Sequence, residues 1–314
     1  MGRCMAKTAL SHNDTVVVVG RMFENRHDEM NKLQEDNKDC LGLLCDVRVR
    51  ETVARVIEQT IEAFGRIDVV ANCAGYGVVA ASEDQDEYDI RNQFETNFMG
   101  TLNIVQLTMP LFRERRKGRY LIFSSTSGSF GVPGLGPYCA SKYAVEGLME
   151  SMCCEVDSFN INITLLESGH MRRDDPGDST SHSHRQAEEG NSLSSRPPLY
   201  NHFLVKTPSA LYNTPTAPAS HAMRMLFWLG DKQPASTSKA AELVWQLGHC
   251  SYPPLRLILG TYAVESIKEK MRYIIEEIED WKHLNFSLKG NQPSNYDAAA
   301  QNEDPEAAGL RECE

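Results

Sequence analysis

The sequence predicts an α/β fold: a doubly wound parallel sheet with helices on both faces. Two observations lead to this prediction. Up to Gly169, short β-branched runs alternate with longer helical patterns, which is typical of parallel strands joined by crossover helices. The 314 residues are 41% apolar and 24% charged, so the chain can bury one large core or two small ones.

Each element is predicted from its local pattern. Short runs of β-branched and other apolar residues predict the strands, which are 15–19, 67–71, 120–124, 162–166 and 254–260. Longer segments with apolar residues at helical spacing predict the helices, which are the N-terminal stretch RCMAKTAL, then 51–64, 100–115, 138–159, 218–229, 238–248 and 264–281. Pro137 prepares the first turn of the helix at 138–159, because proline is favoured there.

Changes in composition divide the chain. We predict one domain over residues 1–285, followed by a disordered acidic tail over 286–314. Within the domain, residues 172–198 are mainly Ser, His, Glu, Asp, Gly and Pro, so we expect a mobile polar insertion with almost nothing to bury. From Leu199 the chain becomes aromatic and is punctuated by prolines.

Composition also excludes several classes of protein and site. The net charge of -11 argues against a nucleic-acid partner, because phosphate binding needs a basic field. The nine cysteines form no C-x-x-C motif, and the tract Ser181–His184 holds only two histidines. We therefore expect no metal site and a reducing compartment. The chain has neither a signal peptide nor an apolar stretch of the roughly 18–20 residues that a membrane span needs, so we expect a cytoplasmic protein.

Tyr138 and Lys142 are a candidate acid/base pair. They lie four residues apart near the start of a predicted helix, so both project from one face. A tyrosine with the ordinary pKa of about 10 is a poor acid or base at neutral pH, but a nearby ammonium favours the phenolate. Such a tyrosine can exchange a proton with an alcohol oxygen. A pair on the helix surface is the alternative interpretation.

Three upstream features favour a shared site. Ser125 follows the strand YLIFSS, at the carboxyl end where α/β folds collect ligand-binding groups. Asn97 lies earlier, in ETNFMG, and is followed by a helical segment. Earlier still, a strand runs into Asn72–Gly75, where small residues let a ligand approach the backbone. Their order and spacing relative to Tyr138 argue against coincidence.

Through these residues the sequence resembles the short-chain dehydrogenase/reductase family, in its non-extended, single-domain branch. The resemblance runs from about Gly2 to Trp281 without the polar insertion, and its C-terminal part is similar to 17β-hydroxysteroid and retinol dehydrogenases and to fungal members. It implies a Rossmann-like fold. An epimerase or dehydratase of the extended branch fits less well, because the chain lacks that branch's larger substrate domain.

The resemblance implies a role for each motif residue. Tyr138 exchanges the proton, Ser125 hydrogen-bonds the substrate oxygen, and Lys142 holds the nicotinamide ribose while tuning Tyr138. Asn97 holds a water that completes the proton relay. The residues expected along the cofactor are Asn72, Ala74 and Gly75, with Asp46 at its adenine edge.

The start of the chain departs from the family pattern. Members begin with a strand and T-G-x-x-x-G-x-G, followed by a helix whose N-terminus faces the pyrophosphate. Aligned on RCMAKTAL, Gly2 takes the last glycine of that motif, so the first, central strand is expected to be absent from this chain. In the family strand order 3-2-1-4-5-6-7, strands 2 and 4 then lose their shared partner. Either the sequence is incomplete here, which the intact motif residues favour, or the chain is a degenerate homologue.

The charge near the second family strand predicts the cofactor. Domains that prefer NAD place an acidic residue about 20 residues after the glycine motif. Arg21 takes this place, and a cation there suits the 2′-phosphate, so we predict NADP(H) over NAD. Arg3 is a second candidate cation. After the strand NITLL, family members have the motif P-G-x-x-x-T. In this chain the proline and the threonine of the motif are both replaced, and Arg173 stands at the threonine position. Gly169 is therefore the one residue of this motif that we predict at the cofactor site.

Residues 199–235 fall where relatives have a substrate lid. The side chains that suit an apolar alcohol or ketone are Tyr200, Phe203, Leu204 and Tyr212, although such aromatics also serve as core contacts. Relatives often pair through the helices at 100–115 and 138–159, so a homodimer or homotetramer is expected. We therefore predict an NADP(H)-dependent oxidoreductase acting on the carbonyl or alcohol of a small apolar molecule. The alternative is a truncated or degenerate, non-catalytic Rossmann-like protein with weak or no cofactor binding.

Overall fold

The fold is taken from a computed structural model of the chain. It describes residues 1–21, 31, 34–169, 171, 199–200, 202–214, 216–217 and 236–284, with the backbone only at 199–200. The predicted insertion at 172–198, the predicted helix at 218–229 and the predicted tail at 286–314 lie outside the described residues.

The described residues alternate between strands and helices. The strands are β1 (Val16–Gly20), β2 (Cys40–Leu44), β3 (Val69–Asn72), β4 (Gly77–Val79), β5 (Gly118–Phe123), β6 (Ile161–Ser168), β7 (Leu199–Tyr200), β8 (Phe203–Val205) and β9 (Arg256–Leu259). The helices are α1 (Gly2–Ser11), α2 (Arg50–Phe64), α3 (Glu87–Phe94), α4 (Gly100–Arg115), α5 (Gly136–Val156), α6 (Thr237–Gly248) and α7 (Thr261–Trp281). A π-helical turn, Glu95–Met99, joins α3 to α4.

The predicted parallel sheet is confirmed, and it is divided in two. Strand β1 pairs with β2, and a second sheet has the order β3-β5-β6-β9, with every pairing parallel. Among the described residues, β1 and β3 each hydrogen-bond to a strand on one side only. Val19 and Val69 on these two strands are each 42% exposed. The division falls between family strands 2 and 4, as expected if their shared central partner is missing.

Helices cover both faces of the second sheet. Tyr120 and Ile122 of β5 pack on one face with apolar residues of α4 and α5. Leu121 and Phe123 point to the opposite face and pack against α6, where Met5 of α1 joins them. This alternation follows from the two-residue period of a strand, and it confirms the doubly wound arrangement.

A small third sheet brings the beginning of the predicted lid next to α5. Strand β8 pairs in parallel with β4 and antiparallel with β7. Lys206, directly after β8, forms ion pairs with Asp89 and, at 3.0 Å, with Asp86, at the N-terminus of α3. These short strands carry too few residues for a periodic signal, which is why the sequence pattern does not reveal them.

By its internal contacts the chain divides into two units, Met1–Lys270 and Met271–Glu314. The first unit contains the three sheets and all the candidate site residues. The described part of the second consists of the last turns of α7 and a short 3₁₀ turn, Lys282–Leu284. None of the described helices combines the length and the apolar character that crossing a membrane requires.

Candidate active site

Tyr138 and Lys142 are buried on the inner face of α5. Their exposed fractions are 3% and 5%, so they are not a pair on the helix surface. The Nζ atom of Lys142 lies 5.8 Å from the centroid of the Tyr138 ring and donates a hydrogen bond of 2.9 Å to the carbonyl of Phe123. Because Phe123 is the last residue of β5, this bond holds the ammonium at the carboxyl end of β5.

Ser125 reaches Tyr138 from the end of the same strand. Its Oγ accepts a hydrogen bond of 3.2 Å from the backbone N–H of Ser127, which caps a 3₁₀ turn. The Ser125 side chain lies close enough to the phenol of Tyr138 to lower its pKa. The structure therefore brings three of the four predicted catalytic side chains, Ser125, Tyr138 and Lys142, together near the carboxyl end of β5.

Burial decides the ionisation of this pair. It raises the pKa of Tyr138 well above its ordinary value, and the neighbouring Ser125 opposes the rise only in part. That the Lys142 ammonium lowers this pKa stays a prediction, because burial is the largest cause of the shift. Burial also lowers the pKa of Lys142, to about 8, against the opposing charge of Glu146. The protonated phenol can donate a proton, so the site is prepared for reduction.

Asn97 fixes the loop that faces the pair. It is 1% exposed in the π-helical turn, and its Oδ1 accepts a hydrogen bond of 3.0 Å from the N–H of Tyr76. Its amide donates to the carbonyl of Tyr76 at 2.9 Å and to Ser141 Oγ at 2.8 Å. Both amide hydrogens are therefore engaged within the protein, and only Oδ1 has capacity left for the predicted water.

The turn after β3 forms a cradle beside these side chains. The Oδ1 atom of Asn72 accepts a hydrogen bond of 3.0 Å from the N–H of Ala74, which tightens the turn. A Cβ atom at Gly75 would lie 3.1 Å from Asn97 Oδ1 and 3.4 Å from Lys142 Nζ. The glycine thus leaves the space next to the ammonium open, which fits a ribose bound along the backbone.

The N-terminus of α1 faces the same edge of the sheet. Helix α1 begins at Gly2, where a Cβ would lie 3.5 Å from that of Cys73. Its first turn carries no acidic residue and no side-chain cap. The backbone N–H groups of this turn therefore keep their capacity for an anion such as a pyrophosphate. Arg3 is exposed on the same turn.

The predicted adenine end, around Asp46, contains an ion pair that the sequence pattern did not reveal. The guanidinium of Arg48 binds Asp46 through two nitrogens, at 3.0 and 2.6 Å, and donates to Asn92 at 2.8 Å. The pKa of Asp46 is lowered chiefly by Arg48 and, to a smaller degree, by the charge of Arg21. Arg21 is exposed directly after β1. The structure therefore places Arg21 near Asp46, and the carboxylate is already compensated by Arg48.

Other predicted site residues lie apart from this centre or outside the described residues. Gly169 directly follows β6, and a Cβ there would make ordinary contacts with Ala263 at 3.9 Å and Tyr262 at 4.0 Å. Arg173 and the side chain of Tyr200 lie outside the described residues. Leu204 is half-buried, and Tyr212 hydrogen-bonds Glu83.

Phe203 packs edge-on against the ring of Tyr138, with 5.1 Å between centroids, and is 3% exposed. It therefore serves as a core contact of Tyr138. The preceding residue, His202, contacts the Tyr138 hydroxyl and was not singled out from the sequence.

Glu146 lies one turn beyond Lys142 and is buried. It is 5% exposed, close to the buried carboxylate of Glu167, and 3.4 Å from Arg256 Nε. Burial raises the pKa of Glu146 to about 7, although Ser124 and Arg256 act in the opposite direction.

This shift predicts a pH-dependent stability. Between the unfolded value, about 4.3, and about 7, the folded chain binds more protons than the unfolded chain, so the free energy of unfolding falls as pH rises. Glu146→Gln removes this dependence. Urea unfolding of both proteins gives their free energies of unfolding. The value for Glu146→Gln minus the value for wild type should rise by about 2 kcal/mol from pH 5 to pH 7.5. Glu150→Gln is the control, because Glu150 is an exposed partner of the same arginine. If the stability of Glu146→Gln and of wild type changed with pH in parallel, the assignment to Glu146 would be contradicted.

Comparisons with known proteins agree with this geometry. A family model described as short chain dehydrogenase matches residues 1–180. The chain is 30% identical to oxidoreductase BOA17 of Botryotinia fuckeliana, over 91% of this chain and 94% of that protein. It is 35% identical to human 17-beta-hydroxysteroid dehydrogenase type 1, over 40% of this chain and 38% of that protein. A solved short-chain dehydrogenase from Streptomyces avermitilis has a TM-score of 0.74 at 24% identity, covering 90% of this chain and 92% of that one.

The family model covers more than half of the chain, and BOA17 matches it over nearly its whole length. The buried tyrosine and lysine of α5 and the half-buried Ser125 after β5 are those that the sequence resemblance implied. The chain therefore belongs to the short-chain dehydrogenase family of oxidoreductases.

Proposed function

We propose that this protein transfers a hydride between NADP(H) and the carbonyl or alcohol group of a small, apolar molecule. The observation that carries the proposal is the burial of Tyr138 and Lys142 side by side on one face of α5, with the ammonium 5.8 Å from the centroid of the Tyr138 ring. Lys142 is held at the end of β5, and Ser125 lies beside the phenol. A buried phenol beside a second hydroxyl group can hold a carbonyl oxygen and give it a proton.

The residues present divide the work of binding and proton transfer. Bound nicotinamide supplies the hydride in reduction and accepts it in oxidation. Lys142, next to the open backbone of Gly75, would hold the ribose, and the first N–H groups of α1 would hold the pyrophosphate. Ser125 orients the substrate oxygen. Tyr138 gives its proton to that oxygen in reduction and takes it back in oxidation.

The preference for NADP(H) is supported by charge. Arg21 is an exposed cation near Asp46, and Arg48 compensates the charge of that carboxylate. A 2′-phosphate would therefore meet a guanidinium without an unpaired negative charge beside it. Charge-assisted hydrogen bonds of this kind contribute about 1.5–3 kcal/mol.

We expect Arg21→Asp to weaken NADPH binding about 10- to 100-fold relative to NADH, because a carboxylate repels the 2′-phosphate and accepts bonds from ribose hydroxyls. The measurement is a titration of each protein with both nucleotides, followed by nicotinamide fluorescence. Arg55→Asp, which makes the same charge change on the exposed side of α2, should leave the ratio unaltered. An unaltered ratio for Arg21→Asp itself would remove the 2′-phosphate from this site.

The apolar character of the substrate is supported by the surroundings of Tyr138. Its ring lies in one cluster with Val79, Leu135 and Phe203, and these side chains offer no hydrogen bond to a polar substrate. A panel of aliphatic, aromatic and hydroxylated ketones, assayed with NADPH, tests this. We expect kcat/KM to rise with the apolar surface of the ketone.

The non-catalytic alternative is favoured by one observation. Within the described residues, β1 and β3 are each paired on one side only, so two sheets flank the cofactor edge where the family has one. Titration of the full chain with NADPH distinguishes the two proposals. Saturable binding supports the oxidoreductase, whereas its absence in a folded protein supports the scaffold without turnover.

A further inference from the structure

The structure places an exposed histidine against the catalytic tyrosine. The Nε2 atom of His202 lies 3.5 Å from the Tyr138 hydroxyl, and the two ring centroids are 6.1 Å apart. The carbonyl of His202 accepts a hydrogen bond of 3.0 Å from the N–H of Gly77 in β4. Its ring packs on Phe203, with centroids 4.1 Å apart. The imidazole is therefore held in place by both its backbone and its neighbour.

His202 offers a polar route from the Tyr138 hydroxyl to water. Tyr138 is 3% exposed, whereas His202 is exposed. The other polar neighbour of the Tyr138 hydroxyl is Ser125, which is half-buried just after β5. The ammonium of Lys142 is bonded to the carbonyl of Phe123. Among the described contacts of the phenol, the imidazole thus combines a titratable nitrogen with access to solvent.

We infer that His202 is a positioning residue that returns protons from solvent to Tyr138 during turnover. The inference rests on the proposed function. In reduction, the hydride forms the new C–H bond of the product, and the O–H bond of Tyr138 breaks as its proton moves to the substrate oxygen. The phenolate then takes a proton from the imidazolium of His202 at Nε2, and the neutral imidazole takes one from water. In oxidation each proton moves in the opposite direction.

An imidazole suits this step because it titrates near neutral pH, at about 6.5 when unperturbed. Tyr138 contacts His202 from α5. The neighbouring strands β4 (Gly77–Val79) and β8 (Phe203–Val205) have no charged side chains. Lys206, which follows β8, is bonded to two aspartates of α3. We therefore expect the imidazole to sense the state of Tyr138.

The first arm of the test needs no turnover. The imidazole C2–H resonance of His202, assigned by its loss in His202→Gln, is titrated by NMR in the full chain and in Tyr138→Phe. We expect the midpoint to move by about 0.5 pH unit or more when the phenol hydroxyl is removed, since a direct hydrogen bond shifts a pKa. Identical midpoints would overturn the contact. This arm stands even if the protein reduces no ketone, so failure of the proposed function is recognised separately.

The second arm measures the relay. With the best ketone and NADPH, His202→Gln keeps a hydrogen-bonding side chain but carries no ionisable proton. We expect the kcat of this variant to fall about 10-fold or more. The variant should also lose the wild-type dependence of kcat on pH between about 5.5 and 7.5. Its KM for NADPH should stay near the wild-type value. Added imidazole should restore part of kcat in His202→Ala, where space is available. His249→Ala, an exposed histidine of another surface, should behave as wild type. A wild-type kcat and pH profile in His202→Gln would overturn the relay.

Discussion

Tyr138→Phe is expected to abolish carbonyl reduction, lowering kcat by at least about 100-fold, while NADPH affinity stays within about three-fold of wild type. The variant removes one oxygen atom and keeps the ring that packs against Phe203 and Val79. The hydroxyl is the proton donor in the proposed reaction, and burial keeps it protonated at neutral pH. Turnover should therefore be lost without loss of the fold.

Two measurements separate these effects. Steady-state reduction of the best ketone gives kcat, and fluorescence titration with NADPH gives the dissociation constant. Tyr143→Phe is the matched control, because Tyr143 lies on the same helix with 44% of its surface exposed. It should keep wild-type rates. Undiminished turnover in Tyr138→Phe would remove Tyr138 from the acid/base role and leave Ser125 without its proposed partner.

The sequence was sufficient for the main elements and for the cluster around Tyr138. Pro137 lies in the first turn of α5, and four-residue spacing on a helix places Tyr138 and Lys142 on one face. The carboxyl end of a central parallel strand places Ser125 next to them. These are local rules, because they depend on residues within one helix or one strand, so a sequence pattern can express them.

Contacts between distant segments could not be predicted in the same way. His202 reaches Tyr138 because β8 pairs with β4, more than 120 residues earlier in the chain. Arg48, which pairs with Asp46, also donates to Asn92 of α3, 44 residues further along the chain. Both contacts depend on the tertiary structure, and β4 and β8 are too short to show a period.

The sign of the Tyr138 pKa shift also required the structure. A cation four residues away favours the phenolate, and from sequence that is the only effect that can be counted. In the folded chain the ring is enclosed by apolar side chains, and Lys142 directs its ammonium to the carbonyl of Phe123. Burial then raises the pKa of the phenol, and it lowers the pKa of the lysine. How much each group is buried depends on packing between elements, which no local motif encodes.

Lys142→Met is expected to weaken NADPH binding about 10-fold or more and to reduce kcat, yet to relieve a cost in stability at neutral pH. Burial lowers the pKa of this lysine from 10.5 to about 8 in the folded chain. Between about pH 8 and pH 10.5 the unfolded chain therefore binds more protons, and wild-type stability rises with pH. Methionine fills similar space without a charge, so its variant lacks this rise.

Urea unfolding between about pH 7 and pH 10 tests the stability effect, and NADPH titration tests the binding effect. The free energy of unfolding of Lys142→Met minus that of wild type should fall by about 2 kcal/mol over that range. Lys268→Met, an exposed lysine paired with Glu265, should follow the wild-type curve. If Lys142→Met also follows it, the ammonium is better solvated than its 5% exposure indicates. If instead the pH dependence disappears while NADPH binds as in wild type, Lys142 serves the phenol and the end of β5, and the ribose is held by other groups.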